Sequence, residues 1–252
     1  MLISGKGLRV VYQPQFDLQS GAVLGAEALA RWDHPRFGPV SPDLLVKMVN
    51  DLGLDLLLFS HVEKSVRETL IQLDRAGNHM PIAINACART LCTSGLTERL
   101  ERQLQRASLP NSRLKLELTE DLPADDELAL SAGVTALRAK GFSVSLDDFG
   151  TGTASLALVS KIQFDELKVD KALVKSMEHS SKSIDLIAGI VPICKMLNMR
   201  LVIEGIESTA IADQLRELGC TIGQGFGLGR PMEQQAFIKL ACPGRGSVVT
   251  IQ

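Results

Sequence analysis

Residues 9–32 read RVVYQPQFDLQSGAVLGAEALARW, and this stretch decides the fold. Arg9–Phe16 and Val23–Trp32 are both strand-like, and only Asp17-Leu18-Gln19-Ser20-Gly21 and Ala22 separate them. So short a polar link, with glycine near its end, can join only antiparallel strands, because a parallel crossover needs a dozen residues or more. The two segments therefore form a hairpin. Downstream the pattern changes. Strand-like segments follow at Ile82–Cys87, Leu114–Thr119, Phe142–Asp147, Glu166–Val169, Arg200–Glu204 and Thr221–Phe226. The stretches between them are long enough for crossover helices, as at Leu96–Ala107, Asp125–Lys140, Ser183–Leu197 and Ser208–Leu218. Leu96, Leu100 and Leu104 give the first of these an apolar stripe, with Glu98, Arg99, Glu101, Arg102 and Gln105 on its solvated face. Asp125 or Asp126 and Ser208 are placed to cap helix starts, and Gly141 and Gly219 to end helices. Alternating strands and helices imply a mostly parallel sheet. Eight strands in 252 residues imply closure into a (β/α)8 barrel, an α/β fold whose first strand runs against the rest. The barrel is expected over residues 1–242, with 243–252 as a flexible tail.

Composition narrows the function. Apolar residues make up 45% of the chain and charged residues 22%, which excludes bulk disorder. Lys and Arg total 27 against 29 Asp and Glu, so the net charge of −2 lacks the basic excess of a protein that coats DNA or RNA. Aromatics at 4% argue against base-stacking platforms for single strands. The cysteines, 87, 92, 194, 220 and 242, are odd in number and contain no C-x-x-C. They read as reduced thiols in a cytoplasmic protein. The histidines, 34, 61, 79 and 179, form no metal-binding pair. There is no apolar run of membrane-spanning length and no signal-peptide core. Strand-like sequence begins almost at Met1, as expected of one module in a longer protein.

The chemistry gathers at the strand ends. Glu27, Asn85, Glu117, Asp147, Asp148, Lys168, Glu204 and Gln224 each lie at or near the C-terminal end of a different strand or beside such a residue. In a barrel those ends converge on one rim, where active sites are built. A single strand carboxylate is usually a solvated edge residue or half of an ion pair. Five of them around one opening, Glu27, Glu117, Asp147, Asp148 and Glu204, repel one another beyond what Lys168 can offset. Divalent cations resolve that repulsion. Oxygen donors with one amide suit Mg²⁺ or Mn²⁺ better than Zn²⁺, and the adjacent Asp147 and Asp148 suit a two-metal site with one bridging carboxylate.

Glu27-Ala28-Leu29, followed by Ala30-Arg31-Trp32, resembles the signature of the EAL family of cyclic di-GMP phosphodiesterases. The resemblance runs from Tyr12-Gln13-Pro14 through Ile84-Asn85, Glu117-Leu118-Thr119-Glu120, Asp147–Gly152, Leu167-Lys168-Val169-Asp170, Glu204-Gly205-Ile206-Glu207 and Gln224-Gly225-Phe226 to Gly229-Arg230-Pro231. It implies a TIM-like barrel with an antiparallel first strand. It implies hydrolysis of cyclic di-GMP to linear pGpG with Mg²⁺ or Mn²⁺. By motif position, Glu27, Asn85, Glu117 and Asp147 would hold one metal, and Asp147, Asp148 and Glu204 the other. Lys168 would position or deprotonate the attacking water, Glu204 is a second candidate base, and Gln224 would orient water or metal-bound groups. Gln13 and Arg31 would contact the ligand, Arg31 through a phosphate. The loop Asp148-Phe149-Gly150-Thr151-Gly152, braced by Glu120 and with Glu207 nearby, would couple the site to a homodimer interface and regulate it. A sensor or receiver domain upstream would supply the signal.

Departures from the family pattern are Thr153-Ala154 after the loop, Val49-Asn50 in the helix from Pro42, Thr221 before the last strand and Phe226 in place of tyrosine. None removes a metal ligand. The other readings are a cyclic di-GMP receptor that binds without cleaving, whose usual mark is loss of ligands, and a barrel used for dimerisation or docking.

Overall fold

A computed structural model describes residues 5–118, 127–150 and 156–243. Ten strands form one sheet: β1 (Leu8–Asp17), β2 (Val23–His34), β3 (Gly38–Val40), β4 (Ile82–Ala86), β5 (Leu114–Leu118), β6 (Ser143–Phe149), β7 (Glu166–Val169), β8 (Arg200–Ile203), β9 (Ile222–Gly223) and β10 (Met232–Glu233). β3 and β10 are short additions at the edges of β2 and β1. The other eight close into a ring, because β1 pairs with β2 on one side and with β9 on the other. Both of those pairings are antiparallel, and every pairing from β2 through β4 to β9 is parallel. The reversed first strand expected from the hairpin is present.

The hairpin turn has a local cause. Asp17 Oδ1 accepts from the backbone N–H of Gln19 (3.1 Å) and Ser20 (2.6 Å) and from the Ser20 hydroxyl (2.8 Å). Gly21 takes φ +71° and returns its N–H to the Asp17 carbonyl at 2.9 Å. Those donors, the Ser20 N–H foremost, hold the Asp17 carboxyl below its ordinary pKa.

The apolar core lies mainly between barrel and helices, where Leu70, Leu100, Leu104, Leu130, Leu137 and Ile187 are fully buried. The helix Gln234–Ala241 covers β1, and Phe237 stacks on Tyr12 with ring centres 5.4 Å apart. Ser208 caps the helix Thr209–Glu217 by accepting from Ile211 N–H, and Gly141 and Gly219 end helices at positive φ, as read from sequence. The helix expected at Ser183–Leu197 begins two residues earlier and spans Ser181–Met196. The helix expected from Asp125 is described from Glu127. Asp125 and Asp126 lie outside the described residues, as do Glu120, Thr151–Ser155 and the chain after Pro243.

The last barrel strand is a correction. Thr221–Phe226 reads as a strand, but pairing stops at Gly223. Beyond it the chain turns in against the segment after β8: Ile206 N–H donates to Gln224 O (3.1 Å) and Gly227 N–H to Ile206 O (2.9 Å). A Cβ on Gly225 would lie 2.2 Å from Ile206 backbone atoms, so only glycine permits this approach.

Candidate active site

The parallel strands bring their polar residues to one end of the barrel. Glu27 comes from β2, Asn85 from β4, Glu117 from β5, Asp147 and Asp148 from β6 and Lys168 from β7. Glu204 directly follows β8 and Gln224 directly follows β9. Glu27, Glu117, Asp147, Lys168 and Gln224 are buried.

Lys168 is the hub. Its Nζ lies 2.7 Å from Glu204 Oε1, 2.9 Å from Glu117 Oε2, 3.0 Å from Asp147 Oδ1 and 3.3 Å from Glu27 Oε2, with 0% of its side chain exposed. Glu27 is held from both sides as well, by Asn85 Nδ2 to Oε1 (2.7 Å) and by Gln224 Nε2 to Oε2 (2.7 Å).

Asp147 and Asp148 are neighbours in a strand and would ordinarily point to opposite faces. A bulge prevents this. The β6–β7 register shifts between Leu146 and Phe149, and Asp148 takes φ +55°. Asp148 N–H donates to Asp147 Oδ1 at 2.9 Å. The bulge lets both carboxylates join the cluster.

Two triads result, Glu27–Glu117–Asp147 and Asp147–Asp148–Glu204, each with ligand oxygens within 4.8 Å of one another. Asp147 belongs to both. Burial, with the charges of neighbouring carboxylates, pushes Glu204 up to about 8 and Asp148 up to about 6. Burial also raises Asp147, and raises Glu117 well above the carboxylate range despite Lys168. For Glu27 burial acts upward too, but Lys168, Gln224 and Asn85 together outweigh it and hold this carboxyl low. Burial pulls Lys168 down, and its four carboxylate neighbours more than reverse this, so it stays an ammonium. One ammonium cannot satisfy five carboxylates. Glu117 Oε1 and Asn85 Oδ1 are buried acceptors without a hydrogen-bond partner. Two unsatisfied oxygens beside two carboxylate triads are the donor set of a hard divalent cation. The acidic cluster can therefore hold metal.

The remaining sequence-derived positions divide. Gln13 is buried opposite Glu27 in the β1–β2 register, and its Nε2 donates to Gly229 O at 3.4 Å. Arg31 lies on the same face of β2 as Glu27, four residues farther along, with its guanidinium donating to Ala30 O at 2.9 Å. Phe149 is buried and Gly150 takes φ +109°. Glu207 is exposed beyond β8 and stands apart from both carboxylate triads. Phe226 is exposed at the rim, with the Arg230 guanidinium 4.6 Å over its ring.

Other polar residues inside the barrel escape a reading of strand ends. Lys115 Nζ binds both oxygens of Glu166, at 2.6 and 2.7 Å, with both residues fully buried. Gln15 Nε2 donates to Gln224 Oε1 at 3.0 Å. The available signal is alternation. Lys115 and Glu117 share one face of β5, and Glu166 and Lys168 share one face of β7.

The model of one family, described as the EAL domain, matches residues 1–231. The chain belongs to the EAL domain family. MucR of Pseudomonas aeruginosa, named a bifunctional diguanylate cyclase/cyclic di-GMP phosphodiesterase, is 34% identical over 228 residues, 90% of the EAL chain and 33% of MucR. RocR of the same organism, named a cyclic di-GMP phosphodiesterase, is 32% identical over 227 residues, 90% of the chain and 58% of RocR. The EAL chain thus spans only a third to somewhat over half of these relatives. A solved structure of the MucR phosphodiesterase in complex with c-di-GMP superposes with a TM-score of 0.85 at 33% identity, covering 93% of the EAL chain and 96% of the other. The barrel with its reversed first strand is therefore the fold of this family. No helix among the described residues is long and apolar enough to cross a membrane.

Proposed function

We propose that the EAL chain is a metal-dependent phosphodiesterase that opens cyclic di-GMP to linear pGpG. One observation carries this reading: two carboxylate triads share Asp147 at the mouth of the barrel. Relatives that bear the name of this activity match nine-tenths of the chain.

Glu27, Asn85, Glu117 and Asp147 would hold one divalent cation, and Asp147, Asp148 and Glu204 a second. When bound, such a pair supplies Lewis-acid charge against the phosphodiester and activates water. Mg²⁺ or Mn²⁺ fits the all-oxygen donors. The chain's own groups do the rest. Lys168, fixed among four carboxylates, would position the attacking water. Glu204 is the candidate base that would take the water proton. The water oxygen would bond to phosphorus, the bond from phosphorus to the 3′ oxygen would break, and the 3′ oxygen would take a proton from solvent to leave as a hydroxyl while Glu204 returns its proton to solvent. Gln224 keeps Glu27 in place, Gln13 would contact the ligand beside Glu27, and Arg31 would take a phosphate in its planar fork.

The same proposal places the reaction in the cytosol, in keeping with five cysteines that are thiols rather than disulfides. It includes a homodimer coupled to the site through the loop after β6, and a sensor or receiver domain as the source of regulation.

The test is product identification. Purified chain incubated with cyclic di-GMP and Mg²⁺ or Mn²⁺ should release pGpG, and Glu27→Ala should reduce release to background. Ligand binding without cleavage under both metals would overturn hydrolysis and make the chain a receptor.

A further inference from the structure

Gln15 has no part in the roles above, yet it is buried and its amide reaches the cluster. The reversed direction of β1 puts it there. In the β1–β2 register Gln13 faces Glu27 and Gln15 faces Gly25, one rung deeper in the barrel. At that depth Gln15 Nε2 donates to Gln224 Oε1 at 3.0 Å.

That bond holds the Gln224 amide the way round that Glu27 requires. An amide presents a carbonyl at one end and an N–H donor pair at the other. Glu27, an acceptor only, takes Gln224 Nε2, which donates to Oε2 at 2.7 Å, and Gln15 engages the oxygen at the other end of the amide. The reversed amide would set oxygen against oxygen. Glu27 Oε1 meanwhile accepts from Asn85 Nδ2 at 2.7 Å. Both Glu27 oxygens thus have an amide donor and the plane of the carboxylate is fixed. The same arrangement leaves Asn85 Oδ1 and Glu117 Oε1 buried without partners, as acceptors for a cation.

We infer that Gln15 is a positioning residue for the metal site: through the amide of Gln224 it sets the Glu27 carboxylate in the orientation the first cation requires. This rests on the metal-dependent reading above and adds to it a residue on the floor of the barrel. Outer partners of this kind commonly change metal affinity ten- to a hundredfold, about the range expected here.

The test uses Mn²⁺ alone, titrated calorimetrically into the metal-stripped chain without nucleotide. Gln15→Met keeps the side chain's length and removes the donor. It should weaken Mn²⁺ binding about tenfold. In a Gln224→Met background the same substitution should change affinity by less than about twofold, because the path to Glu27 is already cut. Gln15→Leu is the second variant if Gln15→Met does not fold. Unchanged Mn²⁺ affinity, or an equal loss in both backgrounds, would overturn the inference. So would a lowered melting temperature with intact Mn²⁺ binding, the mark of a packing role alone. A chain that binds Mn²⁺ but leaves cyclic di-GMP uncut would remove the proposed reaction and leave this calorimetry decisive for Gln15.

Discussion

Asp147 and Asp148 show how much one backbone angle can matter. Without the left-handed turn at Asp148, one of the two carboxylates would face the helices and the second triad would lose a member. The order of sensitivity follows. Asp147 sits in both triads, so Asp147→Asn should abolish binding of both cations. Asp148→Asn should lose only one. Calorimetric Mn²⁺ stoichiometry tells these apart, and equal stoichiometry in the two variants would contradict a shared Asp147. At this scale the sequence was informative where a carboxylate stands at a strand end, since barrel geometry fixes where strand ends go. It placed Lys168 among the carboxylates but not which four it touches, because that depends on reach across the barrel. It was silent on Gln15 for a related reason: Gln15 reaches Glu27 through Gln224, 209 positions away.

Among the elements, β5 and β7 carry a ladder of opposed charges. Lys115 and Glu117 on one strand face Glu166 and Lys168 on the other, so a lower rung, Lys115–Glu166, lies beneath the rung that joins the active site. Read alone, Leu-Lys-Leu-Glu-Leu at 114–118 looks like a strand with a solvated face, the ordinary meaning of alternation. Here the polar face points into the barrel and the leucines face the helices, which only closure reveals. Breaking the lower rung by Lys115→Met should cost at most about 3–5 kcal/mol in urea unfolding, because it leaves the buried Glu166 carboxylate with only the half-exposed Arg200 guanidinium, 3.4 Å away. The pair Lys115→Met with Glu166→Met should recover most of that loss. A double variant no more stable than the single would count against the ladder. The end of β9 gives a second case. The run from Thr221 to Phe226 has strand character, but Gly225 lies against the Ile206 backbone and the ladder ends early. Gly225→Ala should destabilise the fold and displace Gln224, seen as lowered melting temperature together with weakened Mn²⁺ binding. β3 and β10 were not legible because two or three residues are too few for a period to show.

For the whole molecule, the site is a source of instability that bound cations would relieve. Glu204 and Asp148 are raised from ordinary values of 4.5 and 3.8 to about 8 and about 6. A raised carboxyl binds its proton more tightly folded than unfolded, so its stabilising contribution is full below about pH 4 and is lost as pH climbs through about 6 and then about 8. The metal-stripped chain should therefore melt at a lower temperature at about pH 8 than at about pH 5. Mn²⁺ should raise the melting temperature more at the higher pH, where its ligands are ionised. A melting temperature of the stripped chain that rises across this range would refute the assignment. Turnover should climb from acid toward alkaline pH for the same reason.

The reversed first strand also settles geography. In an all-parallel barrel the first strand starts at the end remote from the catalytic mouth. Here β1 starts at Leu8, level with Trp32, five residues past Glu27 on β2 and about 16 Å farther toward the mouth. Any polypeptide joined ahead of Leu8 would arrive at the mouth end of the barrel, where Gly5 lies against His61 of the helix Asp55–Arg75. A shift of that incoming segment would act at the same end of the barrel as the carboxylates, with no signal needing to cross its body.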